Sequence, residues 1–523
     1  MNEDVNLIET LKAERNGLSV REEVTQLSDQ NDGWETIDDW DRERLKWMGI
    51  FFRKLMPGLF MMRIRIPVGQ VNAVQLHTLA EIARRVGNGV MDVTTRQQVQ
   101  IRSIGIRDIP GILKTLEGVG LTSLQTGGDN VRNVTGCALA GLTPLGLIDA
   151  SRTGQQFTEK ILGNPALANL PRKMNVDITG CLENCTHSES QDIAMTPALR
   201  ERDGQPGFNV AVGGKMGSGG MTVARPLDIF VEPGDAPLLA AEIVRLFSDE
   251  GFREQRKQAR LAFLLEEWGV ERFRAVLQER WGQPFDGEGT DKRLDYHNDH
   301  LGVQPQVKTG FYSVGLCVPT GRMLSEQVGD LARLAEVYGS GEIRLTTGQN
   351  AILVNVAEER LDNLMAEPLL EQFSPNPHPN MAGLVTCTGS DYCSLALIDT
   401  KKVGRWITEE LIKQYPGAPP VTMHWSGCPA GCGNHQAAGI GFQGIRTKIN
   451  DKVVDGVQIF VGGSVGKQAK PGVRIMDLIP VDALEDILPV IIKHLELLKR
   501  VQRESRTEKL VLMVPASAWD NYE

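Results

Sequence analysis

The sequence predicts an α+β protein built from two pseudo-symmetric halves, and two observations carry that prediction. The first is a long repeat. Pro67 and Gly69 return as Pro319 and Gly321, and Leu79, Ala80 and Ala83 as Leu331, Ala332 and Ala335. Gly87 and Gly89 return as Gly339 and Gly341, and Thr94, Thr95 and Gln97 as Thr346, Thr347 and Gln349, all displaced by 252 residues without a gap. Chance matches do not hold one register across strand, helix and turn. The second observation is a repeated module. Gly180-Cys181 and Cys185 resemble Gly427-Cys428 and Cys432, and AVGGKMG (211–217) resembles FVGGSVG (460–466). This period is far too long for a solenoid, so the expectation is two related halves with a site between them.

The elements follow in order. Residues 1–50 are polar and acidic, an N-terminal arm. Residues 51–125 form a first β-α-β unit: FMMRIRIPVG (60–69) alternates as a strand, Leu76, Leu79, Ala80, Ala83 and Val86 fall at helical spacing, and 90–104 reads as further strand. Residues 126–234 form the first Cys- and Gly-rich module. The apolar helical runs within 235–304 read as an insertion or linker ending in a polar, turn-rich boundary (286–307). The plan then repeats as 305–372 and 373–480. Residues 481–501 have the spacing of a packing helix, and 481–523 closes the chain as helix and tail.

The chain has 523 residues, which implies several domains. With 41% hydrophobic and 23% charged residues the composition is that of a soluble globular protein. A net charge of −10 argues against nucleic-acid binding. No apolar stretch approaches a membrane span. The N-terminus MNEDVNLIET has neither the basic nor the apolar segment of a signal peptide, so a reducing cytoplasm is expected. There, clustered cysteines point to metal or redox chemistry rather than disulfides.

Cys387 and Cys393 form C-x5-C, and Cys428 and Cys432 form C-x3-C. Four thiolates in two pairs suit a [4Fe–4S] cluster, and Gly389, Gly427, Gly431 and Gly433 allow backbone N–H groups to approach its sulfides. A structural zinc site is the competing reading, but C-x5-C is wide for a zinc knuckle. In the first half, Cys137, Cys181 and Cys185 occupy similar places without a fourth cysteine, and read as relics or packing residues. Cys317 reads as core.

The halves differ in charge. Arg63 and Arg96 align with Gly315 and Gly348. Arg102, Arg132, Lys173 and Asn175 lie in further cationic segments of the first half (QIRS, DNVRN, NLPRKMN). Together they predict an anion pocket, in which arginine offers bidentate hydrogen bonds and lysine a point charge.

These motifs resemble those of the sirohaem-containing nitrite and sulfite reductases. TCTGSDYC with SGCPAGC is similar to the family's paired cluster motif, and FMMRIRIP, DVTTRQ, DNVRN and LPRKMN to its other motifs, in order over about residues 40–480. The resemblance implies a duplicated fold in which ferredoxin-like half-domains pair, with two mixed α/β domains around them. It implies a [4Fe–4S] cluster on Cys387, Cys393, Cys428 and Cys432, with Cys432 also the axial ligand of sirohaem. It assigns Arg96 and Arg102 to haem carboxylates, and Arg63, Arg132, Lys173 and Asn175 to substrate. The pattern PRK-x-N at Asn175 resembles nitrite reductases, where sulfite reductases carry a second lysine. The implied reaction is six-electron reduction of nitrite to ammonium, with sulfite reduction as the alternative. No G-x-G-x-x-G follows a strand and opens a helix, so electrons are expected from outside, from reduced ferredoxin. Lys499, Arg500, Arg503, Arg506 and Lys509 are one candidate basic face for it. A monomer is expected, because the twofold is already internal. A simple iron–sulfur electron carrier is the rival from another class.

Overall fold

The computed structural model describes residues 6–29, 35, 37–217, 220–449 and 452–495. The two β-α-β units are interlocked by exchanged strands. In the first sheet, Ile50–Phe52, Leu59–Ile64, Val99–Gly105 and Val90–Val93 lie side by side, and Arg322–Leu324 of the second half completes the edge beside Val90–Val93. In the second sheet, Gly302–Pro305, Phe311–Leu316, Ala351–Ala357 and Glu342–Leu345 are completed by Gln70–Asn72 of the first half. The pairings Leu324↔Val90 and Glu342↔Asn72 are the same contact seen from the two halves. The helices Ala73–Val86 and Ser325–Tyr338 pack on each other, and one apolar core runs through both units, from Leu76 and Leu79 to Leu331 and Leu334.

The two other sheets share one topology. Val131–Thr135, Met174–Ile178 and Ile193–Leu199 are parallel, and Pro206–Val212 and Arg225–Val231 continue antiparallel. Leu384–Thr386, Met423–Ser426, Ile440–Ile449, Lys452–Val461 and Val473–Pro480 repeat that order and sense. The stretch expected to be an insertion or linker is neither. Its helices Ala236–Glu250 and Leu261–Trp281 bury Leu239, Ile243, Phe247, Leu264 and Phe273 in the core of the first mixed domain. Leu484–Lys493 follows the last strand as Ala236–Glu250 follows Arg225–Val231, so the duplication extends to this helix as well. Lys499, Arg500, Arg503, Arg506 and Lys509 lie outside the described residues. Among those described, no helix is long and apolar enough to cross a membrane.

The run 90–104, read as strand, is two strands around a turn. Thr94 N donates to the Gln98 carbonyl at 2.9 Å, and Gln97 turns the chain at φ 55°. Gln349 does the same at φ 70°. Neither position carries the Gly or Asn that marks such a turn in sequence. Their side chains repay the backbone conformation by clamping the halves together. Gln97 Nε2 donates to the carbonyls of Gly136 (3.0 Å) and Leu345 (2.8 Å), and its Oε1 accepts from Gly136 N. Gln349 Nε2 donates to Val93 O (2.9 Å), and its Oε1 accepts from Thr386 N (2.9 Å), the residue before Cys387. Gln349→Ala strands two buried backbone groups, at about 1–3 kcal/mol each. The expected outcome is a loss of about 2–5 kcal/mol, read as an earlier urea midpoint for loss of far-UV circular dichroism.

Candidate active site

The exchanged strands bring first-half cations over second-half cysteines. Between them lies a cavity of about 720 Å³, lined by Arg63, Arg96 and Arg132 from one side and by Cys387, Cys393, Cys428 and Cys432 from the other. Among the described residues, ten arginines and lysines and three carboxylates line it. That excess of positive charge suits an anionic occupant, because like charges at low dielectric repel.

The cysteines sit on two turns that a strand pair holds together. Leu384–Thr386 runs beside Met423–Ser426, so the turns that follow face one another. Cys387 Sγ accepts N–H groups from Gly427 (3.2 Å) and Gly389 (3.4 Å), and Thr400 Oγ1 lies 3.4 Å away. A Cβ on Gly433 would stand 2.0 Å from Trp425 O and 3.1 Å from Cys387 N, so glycine is required where the turns meet. Thr95 Oγ1 of the first half donates to Cys432 O at 3.3 Å. Among the described residues, no three of these four sulfurs converge within 4.8 Å. That spread is too wide for one ion and suits the corners of a cluster.

The cations are placed by buried hydrogen bonding behind them. Arg63 projects from Leu59–Ile64, stacks 4.7 Å over the Phe51 ring and donates to Thr126 O at 3.2 Å. Arg132 stands on Val131–Thr135. Arg65, fully buried, donates through its guanidinium to the carbonyls of Gln125, Val131 and Arg132 at 2.9–3.0 Å, which fixes the loop carrying Arg132. Asn133 Nδ2 donates to the carbonyls of Ile66 (2.7 Å) and Arg96 (2.9 Å). Asn175 N donates to Asp192 Oδ2 at 2.7 Å, and Asp192 is held bidentate by Arg260. Lys173 and Asn175 lie two apart in extended chain and so share a face.

Several polar atoms here are buried without a protein partner: Nε of Arg63 and of Arg96, Nε and Nη1 of Arg132, and Oδ1 of Asn175. Buried groups of this kind ordinarily find partners. Burial, and then Arg96 and Arg132, push Arg63 well down from its usual value. Burial pushes Arg132 down to about 9. Lys173 is pushed well down by burial, then by Arg260 and Arg96. An anionic occupant offsets the mutual repulsion of the cations, while the burial of each remains.

Arg102 stands behind the cavity wall, against Asp92, Gln100 and Thr388, which line it. It is fully buried and does not line the cavity. Its guanidinium is held by Asp92, by Gln100 Oε1 at 2.8 Å and by Thr388 Oγ1 at 3.2 Å, and only Nη1 lacks a partner. Burial opposes ionisation of Asp92, but Lys401, Arg102 and Arg322 together hold it well below the usual carboxylate range. Arg53 and Lys401 line the cavity instead, with Lys401 pushed down to about 8 by burial. Sequence reasoning missed Arg53, Arg65, Asp92, Arg260 and Lys401. Of these, Arg53 and Arg65 lie near Arg63 in sequence and Asp92 opens the DVTTRQ motif, whereas Arg260 and Lys401 carry no local signal.

The residues fit the two groups expected. Four thiolates with N–H donors at their sulfurs suit a [4Fe–4S] cluster, and a cation-lined space reaching Cys432 suits a polycarboxylate macrocycle. Comparison with known proteins agrees. Residues 127–285 and 378–514 match the nitrite and sulphite reductase 4Fe-4S domain, and residues 54–119 and 304–370 match the nitrite/sulfite reductase ferredoxin-like half domain. The chain is 43% identical to the ferredoxin–nitrite reductase of Synechococcus elongatus, over 93% of this chain and 96% of that one. It is 41% identical to the chloroplastic enzyme of Spinacia oleracea, over 85% and 78% of the two chains. The solved structure of the Mycobacterium tuberculosis NirA protein superposes with a TM-score of 0.87 at 29% identity, covering 94% of each chain. With its duplicated fold, paired half-domains and thiolate-and-cation cavity, the chain belongs to the nitrite and sulphite reductase family.

Proposed function

We propose that this chain reduces nitrite to ammonium with electrons from reduced ferredoxin, at a sirohaem coupled to a [4Fe–4S] cluster. The observation that carries this reading is the single cavity in which Cys387, Cys393, Cys428 and Cys432 face Arg63, Arg96 and Arg132. Relatives of similar length named ferredoxin–nitrite reductase support the choice of donor and substrate.

Cys387, Cys393, Cys428 and Cys432 would hold the cluster, and Cys432 would also hold the sirohaem. Arg96, and Arg102 through its unpartnered Nη1, would meet haem carboxylates. When bound, these groups supply single electrons and an iron centre that takes the substrate anion. The protein supplies orientation, charge and protons. Arg63 and Arg132 hold the nitrite oxygens and stabilise charge that develops on them as the N–O bonds break. Each oxygen leaves as water, and Lys173, which feels the charges of Arg96, Arg132 and Cys432 of the cavity, is the candidate acid for it. A depressed lysine donates more readily near neutral pH than an ordinary one.

Asn175 sets the preference for nitrite. Its amide adds no charge, which suits a monoanion better than the larger sulfite dianion. Asn175→Lys is expected to raise the sulfite-to-nitrite ratio of kcat/KM by about tenfold or more, the worth of one charge-assisted hydrogen bond. Steady-state turnover with each anion and one reduced ferredoxin measures it. The same assay on the unaltered enzyme tests the function: a higher kcat/KM for sulfite overturns it. A spectrum without a Soret band and a long-wavelength chlorin band overturns the sirohaem. A monomer working in a reducing cytoplasm completes the reading, supported by the internal twofold and by eight cysteines without a disulfide. Sizing chromatography checks the former.

A further inference from the structure

The pseudo-twofold places a second set of ligands opposite the first. Gly136-Cys137 corresponds to Thr386-Cys387, Cys181 to Cys428 and Cys185 to Cys432. The backbone repeats in detail: Leu147 N donates to Gly180 O as Leu397 N donates to Gly427 O, and Thr347 Oγ1 donates to Cys185 O as Thr95 Oγ1 donates to Cys432 O. By this register the place of Cys393 falls at Thr143, so the first half has no fourth thiol. The structure brings in a different ligand. His300, from the segment between the halves, places Nε2 3.3 Å from Cys137 Sγ and 3.8 Å from Cys181 Sγ.

All four ligand atoms, Sγ of Cys137, Cys181 and Cys185 and a ring nitrogen of His300, lie within 4.8 Å of one another, and all four residues are buried. A tetrahedral ion with about 2.3 Å bonds to sulfur and about 2.0–2.1 Å to nitrogen sets its ligands roughly 3.5–3.8 Å apart. The observed spacing is that of one ion, tighter than that of the cluster cysteines. The surroundings are those of a metal site. Glu183 N donates to Cys181 Sγ at 3.5 Å. On the far side of the ring, His300 Nδ1 faces Glu183 Oε2 at 3.5 Å and otherwise has no partner. Glu183 is held in turn by Asn298 Nδ2 (2.9 Å) and Tyr296 Oη (3.1 Å). A carboxylate behind a ligating imidazole fixes its tautomer and raises its basicity.

The same segment explains why this half needs no haem. Asp299 accepts from Thr346 Oγ1 (2.8 Å) and Asn350 Nδ2 (2.6 Å). A Cβ on Gly348 would meet the Asp299 carboxylate at 2.2 Å, and one on Gly315 would meet His300 O at 2.0 Å. These glycines stand where the first half has Arg63 and Arg96. The counterpart of the haem cavity is therefore filled by chain.

We propose that Cys137, Cys181, Cys185 and His300 bind one structural Zn²⁺, which pins the segment between the halves into the cavity's pseudo-symmetric counterpart. Three thiolates and one imidazole in a closed tetrahedral shell are a zinc donor set, and the site has no open position for catalysis.

The test uses the holoenzyme purified without chelators. Elemental analysis is expected to find about one zinc per chain beside the iron of the cofactors. Zinc-edge X-ray absorption is expected to show three sulfurs at about 2.3 Å and one nitrogen at about 2.0–2.1 Å. His300→Gln and Cys181→Ser should lose the zinc and keep the visible spectrum of both redox groups. The wild-type absorption data decide the matter even if both variants fail to fold. No zinc, iron in its place, a shell of oxygen and nitrogen only, a disulfide among the three cysteines on alkylation mapping, or full zinc retention in His300→Gln would each overturn the proposal.

Discussion

Cys432→Ala is expected to abolish nitrite reduction outright. Cys432 is the most exposed of the four thiols that line the cationic cavity, and Thr95 of the other half anchors its carbonyl. Removing the sulfur takes away the thiolate that would hold both the cluster and the sirohaem. The spectrum separates this from misfolding. Soret and chlorin bands should weaken or shift together with the cluster's broad absorption, while far-UV circular dichroism stays unchanged. A variant that keeps both spectra and measurable turnover would remove Cys432 from its bridging role. Cys137→Ala is the internal contrast, because its site lies in the other half and its loss should spare both redox groups.

Lys173→Gln is expected to lower kcat by about 10²–10⁴-fold, the usual range for a positioned acid. The sign of the pH dependence follows from the surroundings. Burial, then Arg260 and Arg96, holds the ammonium well below its ordinary value. The protonated form is therefore lost as pH rises through that lowered value, and kcat/KM for nitrite should fall on that alkaline limb. In Lys173→Gln the limb disappears. Lys173→Arg keeps the charge but not the acidity, so KM should recover while kcat does not. A Lys173→Arg enzyme with full kcat would make the lysine an anchor for the anion and leave proton delivery to water.

The repeat made the fold legible because its markers are backbone-determined. Pro67, Gly69, Gly87 and Gly89 sit where turns require them, and they return in register. That Cys387, Cys393, Cys428 and Cys432 come together on one cavity was legible for the same reason: their spacing and glycines are local. The exchanged strands were not legible, since Gln70–Asn72 and Arg322–Leu324 are short and pair only with the other half. Nor was the ligand role of His300, because a lone histidine in a polar segment carries no spacing signal. The helices at 236–281 read as a linker because their partners, the strands 206–231, are apolar on a face that sequence alone does not orient. Arg102 has a clear motif, but its pairing with Asp92 was not legible, because the two meet only when their neighbouring strands pair.

The strand exchange also bears on how the enzyme is assembled. Because each sheet borrows an edge from the other half, the halves cannot hinge apart without breaking backbone ladders and exposing their common core. A macrocycle must therefore enter through the rim rather than between separating lobes. That rim is built by the N-terminal arm. Ile8, Asp39 and Trp47 line the cavity, while Lys12 is tied to Leu170 O at 2.9 Å and Asn6 to Arg253 O at 2.7 Å. The arm is no loose flap, however: Lys12 is buried, and Val20, Val24, Leu45 and Trp47 sit in the common core of the half-domains, so the rim is held by the same apolar packing as the sheets.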